Sequence, residues 1–81
     1  MKVDVLFFAG SVDIFGERQL VRALDEGATV GRLIEELVGE FPAFARLSEV
    51  VSVAVNAEYV GHDQALVNGD EVAIIPPVSG G

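Results

Sequence analysis

The stretch that decides the fold is Thr29-Val30-Gly31-Arg32-Leu33-Ile34-Glu35-Glu36-Leu37-Val38. Its apolar residues recur at positions i, i+3, i+4, i+7 and i+8, the spacing of one face of a helix. Thr29 is suited to cap the N-terminus of this helix. Pro42 disfavours helical geometry at Phe41 and therefore ends the helix nearby. The pattern predicts one amphipathic helix with a single apolar stripe.

Short alternating segments on both sides of this helix indicate β-strands, because side chains in a strand point to opposite faces in turn. In the first segment the apolar side is Val3, Val5 and Phe7, while Leu6 and Phe8 lie on the side that begins with a polar residue. The predicted elements are strands over 2–9, 18–24, 51–56, 59–60 and 71–75, helical turns near 12–15 and 44–47, and turns at 25–27 and 68–70.

The order of these elements is β-β-α-β-(β)-β, with one helix for one sheet. A single amphipathic helix covers only one face of a four- or five-stranded sheet. The chain is therefore predicted to be an α+β protein with the β-grasp, or ubiquitin-like, arrangement: a mixed sheet with one main helix packed on one face. We expect a domain over 1–75 and a flexible C-terminal tail over 76–81. The predicted core joins Val3, Val5, Phe7, Val51, Val53, Val55, Val72 and Ile74 of the sheet to Leu33, Ile34, Leu37 and Val38 of the helix.

Composition restricts the classes of function. The chain has 81 residues, 51% of them hydrophobic, a net charge of −8 and no cysteine. One small core leaves little room for a deep catalytic cavity, and the acidic balance argues against binding to nucleic acid or to anionic membranes. Without cysteine there is no disulfide and no zinc–thiolate site, and His62 is expected in a surface loop, not at a metal. No apolar run has the length of a membrane span, and we expect a cytoplasmic protein.

The C-terminal segment Pro76-Pro77-Val78-Ser79-Gly80-Gly81 is the most informative part of the chain. The two prolines lack amide protons, so strand pairing ends there and the chain leaves in an extended direction. Six extended residues reach about 20 Å. A diglycine end has no side chain beyond Cα and can enter a narrow channel. The carboxylate of Gly81 is ionised at neutral pH and can attack the α-phosphate of ATP when an enzyme positions it; the acyl-adenylate is then open to a sulfur nucleophile.

The sheet face opposite the helix is the second candidate feature. Strand parity places apolar side chains on it beside the start of the tail, and an exposed apolar patch of this kind is typical of a protein-binding surface. A competing interpretation is that the 10–15 segment or the segment around Phe44 folds over this face and buries it. The residues predicted to form the docking surface are Leu6, Phe8, Tyr59 and Ile75.

The chain resembles the small, sulfur-carrying subunits of molybdopterin synthase, the MoaD-like branch of the ubiquitin-like sulfur carriers. Four segments carry this resemblance: Val5-Leu6-Phe7-Phe8-Ala9, Val53-Ala54-Val55-Asn56, Asn68-Gly69-Asp70-Glu71-Val72-Ala73 and Pro76-Pro77-Val78-Ser79-Gly80-Gly81. Ile74-Ile75 departs from the family, where aromatic residues are frequent, and this could weaken or retune docking.

The resemblance implies a division of labour among several proteins. An E1-like adenylyltransferase uses ATP to adenylate Gly81, and a persulfide donor converts the end to a thiocarboxylate. The tail then enters the large subunit, which transfers the sulfur to cyclic pyranopterin monophosphate to build the dithiolene of molybdopterin. The chain itself would be non-catalytic, without a permanently bound cofactor, in a heterotetramer with the large subunit. Family interface positions match Phe8, Tyr59 and Ile75.

Two alternatives stay open at this stage. A carrier for thiamin synthesis, for tRNA thiolation or for protein modification would use the same activation with another acceptor, although Pro76-Pro77-Val78-Ser79 and Phe7-Phe8-Ala9 favour the molybdopterin branch. A regulatory ligand-binding β-grasp module would be a protein of a different class, and it would have no need of a free diglycine end.

Overall fold

Five strands form one mixed sheet in a computed structural model that describes residues 1–77. Their order across the sheet is β2-β1-β5-β3-β4, and the central pair β1 and β5 is parallel while the other pairs are antiparallel. The elements in chain order are β1 (Lys2–Phe7), α1 (Ser11–Phe15), β2 (Gln19–Ala23), α2 (Val30–Glu40), a 3-10 turn (Pro42–Phe44), α3 (Ala45–Ser48), β3 (Ser52–Val55), β4 (Glu58–Val60) and β5 (Glu71–Ile75).

Helix α2 is the predicted amphipathic helix, and both predicted ends are confirmed. The Thr29 side chain accepts a hydrogen bond from the backbone N–H of Arg32 at 3.2 Å, as an N-cap does. The helix ends at Glu40, two residues before Pro42. Gly31 lies where the 61–64 loop crosses the first turn, and its N–H donates to the carbonyl of His62 at 2.8 Å. A Cβ there would lie 3.2 Å from the same carbonyl oxygen, so this close approach favours glycine.

The core lies between α2 and one face of the sheet, as predicted. The predicted sheet residues are buried except Val51, and those of the helix are buried except Val38; these two are half-buried and pack against the core. An aromatic cluster closes one end, where Phe15 stacks on Phe7 with a centroid distance of 4.0 Å and contacts Phe44 edge-on at 5.0 Å. Helix α1 is thereby fixed to the helix-side face of β1.

The first strand is shorter than predicted. It ends at Phe7 instead of Ala9, because Ala9 has a positive φ of 51° that no strand residue adopts. The chain then turns into α1, which begins at Ser11. The predicted helical turns near 12–15 and 44–47 are confirmed as α1 and as the pair formed by the 3-10 turn and α3.

Candidate docking face and tail root

The face of the sheet opposite α2 carries a continuous row of side chains across four strands. Residues that are directly paired in a sheet lie on the same face. The register pairs Leu6 with Ala73, Ala73 with Ala54, and Ala54 with Tyr59. We call this surface the open face, and its central row runs Leu6–Ala73–Ala54–Tyr59.

Ile75 and Phe8 extend the open face toward the end of β5. Ile75 pairs with Ser52, two residues beyond the Ala73–Ala54 pair and therefore on the same side. Phe8 follows the last residue of β1 and is 47% exposed, while Tyr59 is 73% exposed. Leu6 and Ile75 are half-buried. The structure thus places all four predicted docking residues away from the core. On β1 and β5, the apolar residues of the open face lie at the end of the strand nearer the tail.

The segments that could have covered the open face lie elsewhere. Phe15 of α1 and Phe44 of the 3-10 turn are buried in the aromatic cluster with Phe7, which is on the opposite side of β1. An open concavity of about 540 Å³ lies at the Leu6 end of the central row, and it is lined in part by Leu6, Phe8 and Arg18. The interpretation in which these segments bury the patch is therefore wrong for the part of the chain that the structure describes.

Phe8 is held by a buried hydroxyl group that the sequence did not single out. The Ser11 hydroxyl donates to the Phe8 carbonyl oxygen at 2.6 Å and accepts from the Phe8 N–H at 3.1 Å. Ser11 is fully buried at the start of α1. The only sequence signal was a small polar residue four positions after a strand, and this is typical of many turns.

Charge is distributed unevenly along the open face. Asp4 and Glu71 are direct partners in the parallel pair of strands, so two carboxylates face the same side at the end remote from Ile75. The open face thus changes from apolar near the tail to acidic at its far end.

An ion pair joins strand β2 to helix α2 on the other side of the sheet. Arg22 of β2 contacts Glu40 of α2 at 2.5 Å. The hydrogen bond from Arg22, together with its positive charge, lowers the pKa of Glu40 below the usual value of a glutamate.

The tail begins as a direct continuation of β5. Pro76 is buried and Pro77 is exposed, so packing against the domain reaches one residue beyond the predicted boundary at 75. Val78, Ser79, Gly80 and Gly81, with the reacting end predicted at Gly81, lie outside the described residues. The predicted flexible tail stays a prediction.

Within residues 1–77, no three potential metal-ligating side chains come together, and His62 is exposed in a loop. The longest helix in this range has 11 residues, well short of a bilayer-spanning length of roughly 20.

A mixed five-stranded sheet with one main helix covering one face and an open apolar face on the other defines a ubiquitin-like β-grasp domain. The predicted fold class is thereby confirmed. The ThiS family model matches residues 5–81, and the chain belongs to the ThiS family.

Similar proteins cover the whole chain. The molybdopterin synthase sulfur carrier subunit of Chlamydomonas reinhardtii is 39% identical over 83 residues, with 100% of each chain aligned. The crystal structure of SAMP1 from Haloferax volcanii has a TM-score of 0.88 at 32% identity and 100% coverage of both chains. A chain in the crystal structure of the Amycolatopsis orientalis BexX/CysO complex has a TM-score of 0.74 at 27% identity, covering 98% of this chain and 99% of that one. This third structure is a complex of two proteins.

Proposed function

We propose that this protein is the sulfur carrier subunit of molybdopterin synthase. The observation that carries the proposal is the continuity between the open face and the tail, because β5 supplies Ile75 to the apolar face and then leads through Pro76 toward Gly81. A partner bound on this face would receive the tail beside it. The full-length similarity to a molybdopterin synthase sulfur carrier subunit supports the same function.

The reacting group in this proposal is the carboxyl of Gly81. Its oxygen attacks the α-phosphorus of ATP on an E1-like adenylyltransferase, and pyrophosphate leaves. The terminal sulfur of a persulfide donor then attacks the acyl carbon and releases AMP, and a thiol cleaves the resulting acyl disulfide to leave a thiocarboxylate. ATP is consumed by the activating enzyme, and the carrier holds no cofactor of its own. The chain supplies a positioned carboxyl group and a docking surface, while catalysis belongs to its partners.

The docking surface in this proposal is formed by Leu6, Phe8, Tyr59 and Ile75, and its partner is the large subunit in a cytoplasmic heterotetramer. Two exposed aromatic residues on the open face, Phe8 near the tail and Tyr59 in the central row, support this assignment, since aromatic side chains are enriched at the centres of interfaces. Pro76, Pro77, Val78, Ser79 and Gly80 form the arm that carries Gly81 into the large subunit.

A mass measurement tests the proposal directly. The untagged chain is incubated with ATP, a persulfide donor and the E1-like enzyme of the same organism, and its intact mass should rise by the difference between sulfur and oxygen. The thiocarboxylated chain mixed with the large subunit should then convert cyclic pyranopterin monophosphate to molybdopterin. An unchanged mass with an activating enzyme that adenylates another carrier would contradict the proposal.

Protein modification is the second candidate function, and the similarity to SAMP1, a small archaeal modifier protein, favours it. A modifier would use the same adenylate but pass Gly81 to a lysine amine, forming an isopeptide bond. Mass spectrometry of proteins joined to the chain after activation separates the two functions, because a pure sulfur carrier forms no isopeptide conjugates. Carriers for thiamin synthesis or tRNA thiolation are separated by assaying the charged chain with each acceptor system.

A further inference from the structure

We propose that Ser11 is a positioning residue for docking, whose buried hydroxyl holds Phe8 in the orientation that the partner recognises. The inference rests on the proposed function insofar as it assigns Phe8 to the interface with the large subunit. Its structural part, the restraint of Phe8 by Ser11, stands on contacts within this chain.

The hydroxyl of Ser11 satisfies both backbone groups of Phe8. It accepts from the Phe8 N–H at 3.1 Å and donates to the Phe8 carbonyl at 2.6 Å, and the Ser11 N–H donates to the same carbonyl at 3.2 Å. Three hydrogen bonds therefore join two residues that are three positions apart. Because the backbone of Phe8 is fixed at its N–H and its C=O, the direction of its Cα–Cβ bond is fixed as well.

Phe8 lies where the pairing of the sheet ends, so a restraint at this residue adds to what the strands provide. The ladder between β1 and β5 ends at the pair Phe7 and Ile74, and the pairing of β1 with β2 ends at Leu6. The following residue, Ala9, has a φ of 51°. Outside the strand ladders, the backbone N–H and C=O of Phe8 both hydrogen-bond to Ser11.

Ser11 is itself anchored by the core. It is fully buried, and Phe15 at the other end of the same helix stacks on Phe7. Helix α1 thus connects the buried side of β1 to the exposed residue that follows it. A rigid Phe8 loses less conformational freedom on binding than a loose one, and a preorganised side chain therefore gives tighter binding.

A double-mutant cycle tests this inference. Calorimetry with the large subunit of the same organism compares the wild type, Ser11→Ala, Phe8→Ala and the double variant. Ser11→Ala should weaken binding about fivefold to tenfold, the effect of one lost hydrogen-bonded restraint. In the Phe8→Ala background the same change should alter affinity less than about twofold, since the two residues act as a unit. Ser11→Ala weakening both backgrounds equally would overturn the inference.

Ser48 provides a matched control. Its hydroxyl donates to the Ala45 carbonyl at 2.6 Å, also three residues back, within α3. Ser48→Ala should leave affinity unchanged. Should Ser11→Ala fail to fold, Ser11→Cys takes its place, because its thiol is close in size and hydrogen-bonds only weakly.

Hydrogen exchange supplies a measurement that does not depend on any partner. Exchange of the Phe8 amide, followed by NMR, should be faster in Ser11→Ala than in the wild type, whereas exchange at Val5 within β1 should change little. Unchanged exchange at Phe8 would overturn the restraint itself. Faster exchange at Phe8 together with no binding by the wild-type chain would leave the restraint supported and contradict the proposed partner.

Discussion

Phe7 and Phe8 are adjacent in the chain but have opposite environments. Phe7 is 3% exposed and stacks on Phe15, whereas Phe8 is 47% exposed beside the open face. The same substitution at the two positions therefore separates a structural role from a docking role.

Phe8→Asp should leave the fold intact and weaken binding to the large subunit by at least about 30-fold, because truncated interface aromatics often cost roughly 2 kcal/mol or more. Phe7→Asp should unfold the domain, since it buries a charge without a partner. Circular dichroism reports folding and calorimetry reports affinity. Unfolding by Phe8→Asp, with Phe7→Asp folded but weakly binding, would mean that the two faces of the sheet are assigned the wrong way round.

The hairpin between β3 and β4 contains a residue whose conformation favours glycine. Asn56 and Ala57 have φ values of 51° and 71°, as in a type I′ turn. Asn56 fits this turn because its side chain accepts from the N–H of Glu71 at 3.0 Å and donates to Asp70 at 2.9 Å. Ala57 has only a methyl group, and a Cβ is unfavourable in this conformation.

Ala57→Gly should stabilise the protein by about 0.5–1 kcal/mol, the relief of left-handed strain less the added entropy of the unfolded chain. Urea denaturation measures the change. Ala45→Gly, at an exposed position of α3, is the matched control and should destabilise by up to about 1 kcal/mol. Equal losses at both positions would show that the turn carries no strain at Ala57.

The contact between β2 and α2 gives a pH-dependent contribution to stability. Arg22 lowers the pKa of Glu40 in the folded chain, so the native state binds this proton less readily than the unfolded state. The contribution is therefore present above the ordinary pKa of a glutamate and is lost as the pH falls through the lowered value.

Glu40→Gln should lower the melting temperature at pH 7, and the difference from the wild type should shrink as the pH falls through and below the ordinary glutamate range. Thermal denaturation across that range measures it. Glu17→Gln is the control, because Glu17 makes no ion pair among residues 1–77. A difference that is constant with pH would show that the Arg22 contact adds nothing to stability.

At the scale of elements, hydropathy periodicity predicted α2, the five strands and the face of the sheet that Leu6 occupies. These follow from side-chain spacing, which is local. The hydroxyl of Ser11 could not be predicted because its bonds depend on the backbone turn at Ala9. The close approach at Gly31 could not be predicted because it depends on where the backbone of the 61–64 loop passes. Predicting the central row from Leu6 to Tyr59 would also require the register of four strands, which the alternation of apolar and polar residues does not determine.

For the molecule as a whole, two separate features serve the proposed function. In that proposal, the open face is expected to determine affinity, and the tail is expected to determine where the reacting carboxyl arrives. The core described above is formed by residues up to Ile74, and the apolar side chains of the open face precede Pro76. Changes after Pro77 should therefore affect chemistry without affecting folding or docking.

Deleting Gly81, or adding one residue after it, should abolish sulfur transfer while the melting temperature and the affinity for the large subunit stay nearly unchanged. The reason is geometric, because the reacting carboxyl must lie within about 3–3.5 Å of its target, and one residue shifts it by about 3.3 Å. Gly80→Leu should also abolish transfer with the melting temperature nearly unchanged, because its side chain would hinder entry of the tail into the large subunit. Phe8→Asp is the opposite case and should lose affinity with its tail unaltered. Normal transfer by the lengthened chain would show that the position of the Gly81 carboxyl does not determine the reaction.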